Sequence, residues 1–196
     1  MSQFALNPCL PRRIVIVSGP PGSGKTTLAR PLARKLAFAV ICKDDIKESL
    51  YVSMGGASGD LEFSRRVGDA AMDLLWVLAM QCPGVVLEAN FRTHSPEERA
   101  RVAALDGMVV EVYCRVPLEE ASRRFAERAR DERHHPAHPL MEMPPERMAE
   151  YVGPFAISPV IEVDTARPVD LDALVLRVNA SWATVAPSAQ PHGHLE

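Results

Sequence analysis

Short apolar runs alternate with amphipathic stretches along the chain. Residues 14–18, 39–42, 85–88, 108–115 and 160–163 are runs of the length and character of buried strands. Between them, apolar positions recur at helical spacing. The stretch 61–81 carries Phe63, Val67, Ala70, Ala71, Leu74, Leu75 and Leu78 as one apolar face, and its Met and Trp residues are assigned to the core. Pro117 stands where a helix begins, and Leu118, Ala121, Phe125 and Ala129 form its inward stripe. Residues 169–182 supply a closing helix. Strand runs that alternate with helical patterns predict an α/β, three-layer fold, with about five mostly parallel strands covered by helices on both faces.

Composition narrows this picture. A chain of 196 residues, 47% of them hydrophobic, suits one domain with a continuous core. No run approaches the ~20 uninterrupted apolar residues of a membrane span. Arg12 and Arg13 follow the first apolar residues instead of preceding a long apolar run, which is wrong for a secretory signal and leads to a cytoplasmic expectation. Cys9, Cys42, Cys82 and Cys114 form no Cys-x-x-Cys pair, and three of them border apolar runs, so zinc and disulfide roles are not expected. The formal net charge of −3 gives no overall field for a long polyanion; a local basic patch is the remaining route to nucleic acid. Residues 1–13 and 186–196 are expected as tails around a domain at 14–185.

The strongest chemical signal directly follows the first apolar run. Gly19, Pro20, Pro21, Gly22, Ser23, Gly24, Lys25 and Thr26 match G-x-x-x-x-G-K-[ST] between a predicted strand and a predicted helix. The glycines let backbone N–H groups turn toward phosphate oxygens, and the helix adds its positive end. Lys25 is expected on the β- and γ-phosphates of ATP, Thr26 on Mg²⁺, and Thr27 beside them. Pro31 falls inside this helix, where a kink is expected.

Acceptor-side candidates follow the second and third runs. Asp44 is the candidate base that accepts a proton from an acceptor hydroxyl, with Asp45 as the alternative and Lys47 as a contact for an anionic part of the acceptor. Either aspartate also suits the cap of a helix starting near Ile46. Glu88, Asn90 and Arg92 stand at alternate positions and are expected to point one way. Glu88 is a candidate for Mg²⁺ through water or for the acceptor, and Arg92 for a phosphate or carboxylate; a surface salt bridge from Glu88 to an arginine is the competing role. Arg123, Arg124, Arg128, Arg130 and Arg133 make the other face of the helix after Pro117, with Arg124 and Arg128 at i,i+4. They serve either the transferring phosphoryl or a solvated face paired with Glu120, Glu127 and Asp131. Residues 134–145 hold Pro136, Pro139, Pro144 and Pro145 with His134, His135 and His138, and are read as a loop, not a metal site.

Taken together, these residues resemble the zeta-toxin-like group of small phosphate-loop kinases over about residues 14–182, with related patterns in phage-type polynucleotide 5′-kinase and chloramphenicol phosphotransferase. Asp44 and Lys47 match that group's acid-x-x-basic segment, and Glu88, Asn90 and Arg92 its alternating set. Lys47 stands where polynucleotide kinases carry arginine, and Asn90 where the zeta-like pattern carries threonine. The resemblance implies a P-loop NTPase fold with adenylate-kinase-like strand order, ATP and Mg²⁺ as cofactors, and a closing lid over about 117–145. It also implies a catalytic lid arginine at Arg124 or Arg128, and an adenine seat at the turn holding Arg167. The activity it implies is transfer of the γ-phosphate of ATP to a hydroxyl of a small molecule or nucleotide-like metabolite. A polynucleotide 5′-hydroxyl kinase and a nucleotide-binding regulatory module are the alternatives, and an antitoxin-type partner would accompany a zeta-like role.

Overall fold

A computed structural model describes residues 11–57, 59–131 and 134–184. The predicted tail at 186–196, most of that at 1–13, Cys9 and Arg133 lie outside the described residues. The elements run β1 (Arg13–Ser18), α1 (Lys25–Leu36), β2 (Ala39–Cys42), α2 (Lys43–Ser53), α3 (Leu61–Ala79), β3 (Gly84–Glu88), α4 (Pro96–Ala103), β4 (Met108–Arg115), α5 (Leu118–Ala129), α6 (Pro145–Ala149), β5 (Val160–Asp164) and α7 (Leu171–Thr184). One parallel sheet is formed, in the order β2-β3-β1-β4-β5.

The central strand shows why the runs are apolar throughout. Ile14, Val15, Ile16 and Val17 are all fully buried. Strand alternation sends Val15 and Val17 to one core, with Leu28 and Leu32 of α1 and Val178 and Trp182 of α7, while Ile14 and Ile16 join Leu75, Trp76 and Phe91 in the other. At the margin, β5 alternates, with Ile161 and Val163 buried and Glu162 exposed, as suits an edge with one packed face. Trp182 fastens α7 by donating Nε1–H to the Met108 carbonyl at 2.9 Å.

Three expectations about faces and ends are corrected. In α3 the inward stripe is Ser64, Val67, Gly68, Ala71, Leu75, Trp76 and Ala79, whereas Ala70, Leu74 and Leu78 are exposed. Small residues won the stripe because α3 packs closely on α2, and apolar type alone does not fix the phase of a helix. Leu118 also faces outward, leaving Ala121, Phe125 and Ala129 as the buried side of α5. The closing helix begins at Leu171, not 169, because the Asp170 carboxylate accepts from the N–H groups of Asp172 and Ala173, both at 3.0 Å. Helix α1 runs through Pro31 without interruption.

A charge inside an apolar run also finds its place. Glu111, in mid-β4, is 1% exposed and accepts hydrogen bonds from Ser18 Oγ at 2.6 Å and from the N–H groups of Phe155 and Ala156 at 3.0 and 3.1 Å. Three donors replace the water this carboxylate gives up. They tie the last residue of β1, just before Gly19, to the segment that leads into β5.

Candidate active site

The cradle follows from glycines where no side chain fits. Gly19, Gly22 and Gly24 have φ of 136°, 83° and 83°. A Cβ on Gly22 would lie 2.1 Å from the Ala121 carbonyl oxygen, so α5 rests directly on the loop. Gly24 is the N-cap of α1 and offers no side-chain cap, which leaves the first N–H groups of that helix for an anion. Lys25 is 4% exposed, with Nζ donating to the Pro20 carbonyl at 2.9 Å. Burial pushes its pKa down, against the opposing pull of Glu88 and Asp44. Ser23 Oγ is buried without a partner.

Glu88 ends β3 beside this loop. It accepts from Thr26 Oγ1 at 3.0 Å and from the Cys42 thiol at 2.8 Å, instead of pairing with an arginine. Burial, then the charge of Glu88, pushes the Cys42 thiol up, so it stays a protonated donor. These residues fit a magnesium nucleotide. The glycine turn, the uncapped helix end and the orphaned Ser23 hydroxyl suit phosphate oxygens, and the Thr26 hydroxyl beside the Glu88 carboxylate is a hard-oxygen pair suited to Mg²⁺.

The cleft has two compartments, and α5 forms a wall of both. On one side a cavity of about 280 Å³ is lined by Thr27, Leu28, Pro31, Arg124, Thr165 and Arg167, among others. Arg124 donates Nε–H to Glu120 at 2.6 Å and Nη1–H to the Thr165 carbonyl at 3.2 Å, which holds it against the turn after β5. On the other side a cavity of about 150 Å³ is walled by Lys43, Asp44, Lys47, Asn90 and Arg128. The i,i+4 pair Arg124 and Arg128 is thus divided between the two.

Helix α2 starts earlier than predicted, at Lys43 with Cys42 as N-cap, so neither aspartate is the cap. Both occupy the first turn, where the helix dipole favours an anion. Asp45 turns away and takes both oxygens to Arg30 Nη2, at 2.7 and 2.8 Å. Asp44 faces the cavity. Burial raises its pKa, but Lys43, His138, Lys25 and Arg128 together outweigh burial and hold it below the ordinary carboxylate range. It is an ionised acceptor at neutral pH. Lys47 is 7% exposed and donates to Ser64 Oγ at 2.9 Å, and Ser64 in turn donates to the Ala137 carbonyl at 2.7 Å. Burial, aided by the charge of Lys43, lowers the Lys47 pKa to about 8.

Arg92 is separated from this group. Strand β3 stops at Glu88, so strand alternation does not carry on through Asn90 to Arg92. The Arg92 backbone N–H and Nε–H both donate to Glu98, at 2.9 Å each, and Arg92 does not line the Asp44 cavity. Arg123 pairs with Glu120 and Glu127 on the solvent side, as does Arg130 with Glu142. The acceptor wall also holds Lys43, Arg65 and Arg147, for which no role was expected, and His138, expected only as part of the loop, while Thr165 in the other wall belongs to the turn expected to seat adenine. The His138 ring lies 3.0 Å from Glu48, and the His134 ring 2.7 Å from the His138 carbonyl, so the histidine-rich loop closes over α2. No period or motif linked these positions beforehand.

Comparison with known proteins places the fold. A family model described as an AAA domain matches residues 14–145. A cytidylate kinase of Ignicoccus hospitalis is 32% identical over 59% of this chain and 64% of its own length. A cytidylate kinase of Pyrobaculum arsenaticum is 33% identical over 59% of this chain and 68% of its own. The chain therefore spans about two-thirds of the length of these curated relatives. A candidate kinase from Chloroflexus aurantiacus, of known structure, superimposes with a TM-score of 0.75 at 26% identity, covering 87% of this chain and 98% of that one. The chain is kinase-like in sequence and in fold. These matches support the broad phosphate-loop kinase grouping and do not single out the zeta-toxin group. Among the described residues, no helix is long and apolar enough to cross a membrane.

Proposed function

The chain belongs to the AAA domain family, and on that premise we propose that it is an ATP-dependent phosphotransferase carrying the γ-phosphate onto a hydroxyl of a small molecule. The observation that carries the reading is Asp44, ionised, in the acceptor cavity with Arg128 and within electrostatic reach of Lys25 in the cradle. A hydroxyl must lose a proton as it attacks phosphorus, and a carboxylate at that spot orients it and takes the proton.

In this reading Gly19, Pro20, Pro21, Gly22, Ser23 and Gly24 supply the loop that surrounds the phosphates, and Lys25 neutralises the β- and γ-oxygens. Thr26 and Glu88 would hold Mg²⁺, which offsets phosphate charge when bound. Thr27, Arg124 and Arg167 line the nucleotide side, while Arg128 reaches toward the reacting phosphoryl from the acceptor side. Lys47 and Asn90 bind the acceptor; Arg92 acts there only after leaving Glu98. Residues 117–145 form the lid that excludes water. The proposed partner is the small-molecule acceptor; an antitoxin-type partner belongs with a zeta-like role, for which growth arrest on expression is the assay.

Asp44→Asn tests the base. Turnover of a hydroxyl acceptor is expected to fall by about 10²–10⁴-fold with ATP affinity retained. Unchanged turnover would remove Asp44 from the mechanism. A second reading, transfer to the phosphate of a nucleoside monophosphate, is favoured by the names of the two archaeal relatives. It predicts rapid consumption of CMP that is largely indifferent to Asp44→Asn, because a phosphate acceptor is already deprotonated.

A further inference from the structure

The cavity beside Asp44 is unusual in its charge. Its wall carries Lys43, Lys47, Arg65, Arg128 and Arg147 against a single carboxylate, that of Asp44. Lys43 already approaches Asp44 at 3.5 Å. Among the described residues, no ion pair engages Lys47, Arg65, Arg128 or Arg147, although Arg92, Arg101, Arg115 and Arg130 outside the cavity each have a carboxylate partner. Gathering like charges costs free energy that the one carboxylate of Asp44 offsets only in part, with solvent screening the exposed Arg65 and Arg128. Room has also been left for them. Gly68, inside α3 where glycine is a poor helix former, faces Lys43 Nζ and Lys47 Cε, each 3.6 Å from where its Cβ would be.

We infer that the acceptor bears an oxyanion, a phosphate or a carboxylate distinct from its reacting hydroxyl, and that Lys47, Arg65 and Arg147 receive it while Asp44 receives the hydroxyl and Arg128 the transferring phosphoryl. Guanidinium groups bind such oxygens in pairs, and a cavity of one charge sign focuses anions toward it. The volume of about 150 Å³ gives room for a small oxyanion group. This rests on the reading of Asp44 as base for a hydroxyl acceptor.

The test first fills the cradle, γ-phosphate position included, by saturating the full chain with a non-hydrolysable Mg·ATP analogue, then titrates inorganic phosphate or acetate by calorimetry. Phosphate is expected to bind with an affinity that falls about tenfold in Lys47→Met and in Arg147→Met. In Arg123→Met, whose guanidinium is paired on the solvent side, affinity is expected to stay within about twofold of the parent. The two test positions lie on α2 and α6, so a folding failure in one variant leaves the other informative. Phosphate preferred over acetate assigns a phosphorylated acceptor, and the reverse assigns a carboxylate. No binding, or binding that both variants retain in full, overturns the inference. Turnover of Mg·ATP with D-glucose, D-gluconate and glucose 6-phosphate separates it from the kinase reading. Transfer to glucose alone, without anion binding, keeps the kinase and sinks the anion site. Anion binding with no acceptor phosphorylated keeps the anion site and sinks the kinase.

Discussion

The pocket beside the cradle and the cavity around Asp44 share α5 and little else. The first is built by neighbours in sequence, with Gly24, Thr27, Leu28 and Pro31 on a single loop and helix, completed by the turn from Thr165 to Pro168. The second draws Lys43 and Lys47 from α2, Arg65 from α3, Asn90 from the loop after β3, Arg128 from α5 and Arg147 from α6. The donor side is a local motif that any chain carrying it can form, whereas the acceptor side exists only once several elements have packed.

The most severe way to break the comparison is at Lys25, buried in the cradle within electrostatic reach of Glu88 and Asp44. Lys25→Met is expected to lower turnover by about 10²–10³-fold or more for every acceptor, since it removes a charge placed on the transferring group. Single-turnover phosphate transfer checks this. Loss confined to one acceptor would mean that Lys25 serves the acceptor side alone.

A smaller effect sharpens the division of α5. Arg124→Ala is expected to raise the KM for ATP by about tenfold and leave the acceptor KM within about threefold, and Arg128→Ala to do the converse while also lowering kcat. Steady-state kinetics in both substrates would show it. Equal effects of the two variants on both constants would dissolve the two-compartment description.

The mildest expectation is a pH dependence confined to the acceptor side. Lys47 titrates at about 8, depressed by burial and by Lys43, with Asp44, Asp69 and Glu48 pulling the other way. The acceptor KM is expected to rise as pH passes through 8 to 9.5, with the KM for ATP steady. Linkage gives a second readout. Between the folded value near 8 and the ordinary lysine value of 10.5, the unfolded chain holds a proton that the folded chain has released, so stability rises with pH across that window. Urea midpoints at pH 7.5 and 10 should therefore differ in that direction, and less so in Lys47→Met. Identical pH slopes in the two proteins would rule Lys47 out as the titrating group.

Much of the fold was legible in the chain itself. Each of the five apolar runs is a strand to within a residue, because a parallel strand buried on both faces needs no polar position and so announces itself. Helix faces were less legible. In α3 the larger Leu74 and Leu78 face solvent while Ser64 and Gly68 face inward, since closeness to α2 and clearance for two lysines outweighed apolar type. At the site, Asp44 and Lys47 were readable from their place after the second strand. Arg92 does not share the direction of Glu88 because the strand ends at Glu88 and Glu98, six residues after Arg92, takes its guanidinium. Arg65 and Arg147 carried no local signal at all.

By itself the sequence determined the strands and the phosphate cradle, because each depends on residues within a few positions of one another. Only the tertiary structure decided which aspartate faces the cavity, which arginine lines which compartment, and that Lys47, Arg65, Arg128 and Arg147, in no ion pair among the described residues, meet beside Asp44. Those outcomes depend on the relative placement of α2, α3, α5 and α6. Charge at a distance in sequence becomes chemistry only when packing brings it within a few ångströms and removes the water between.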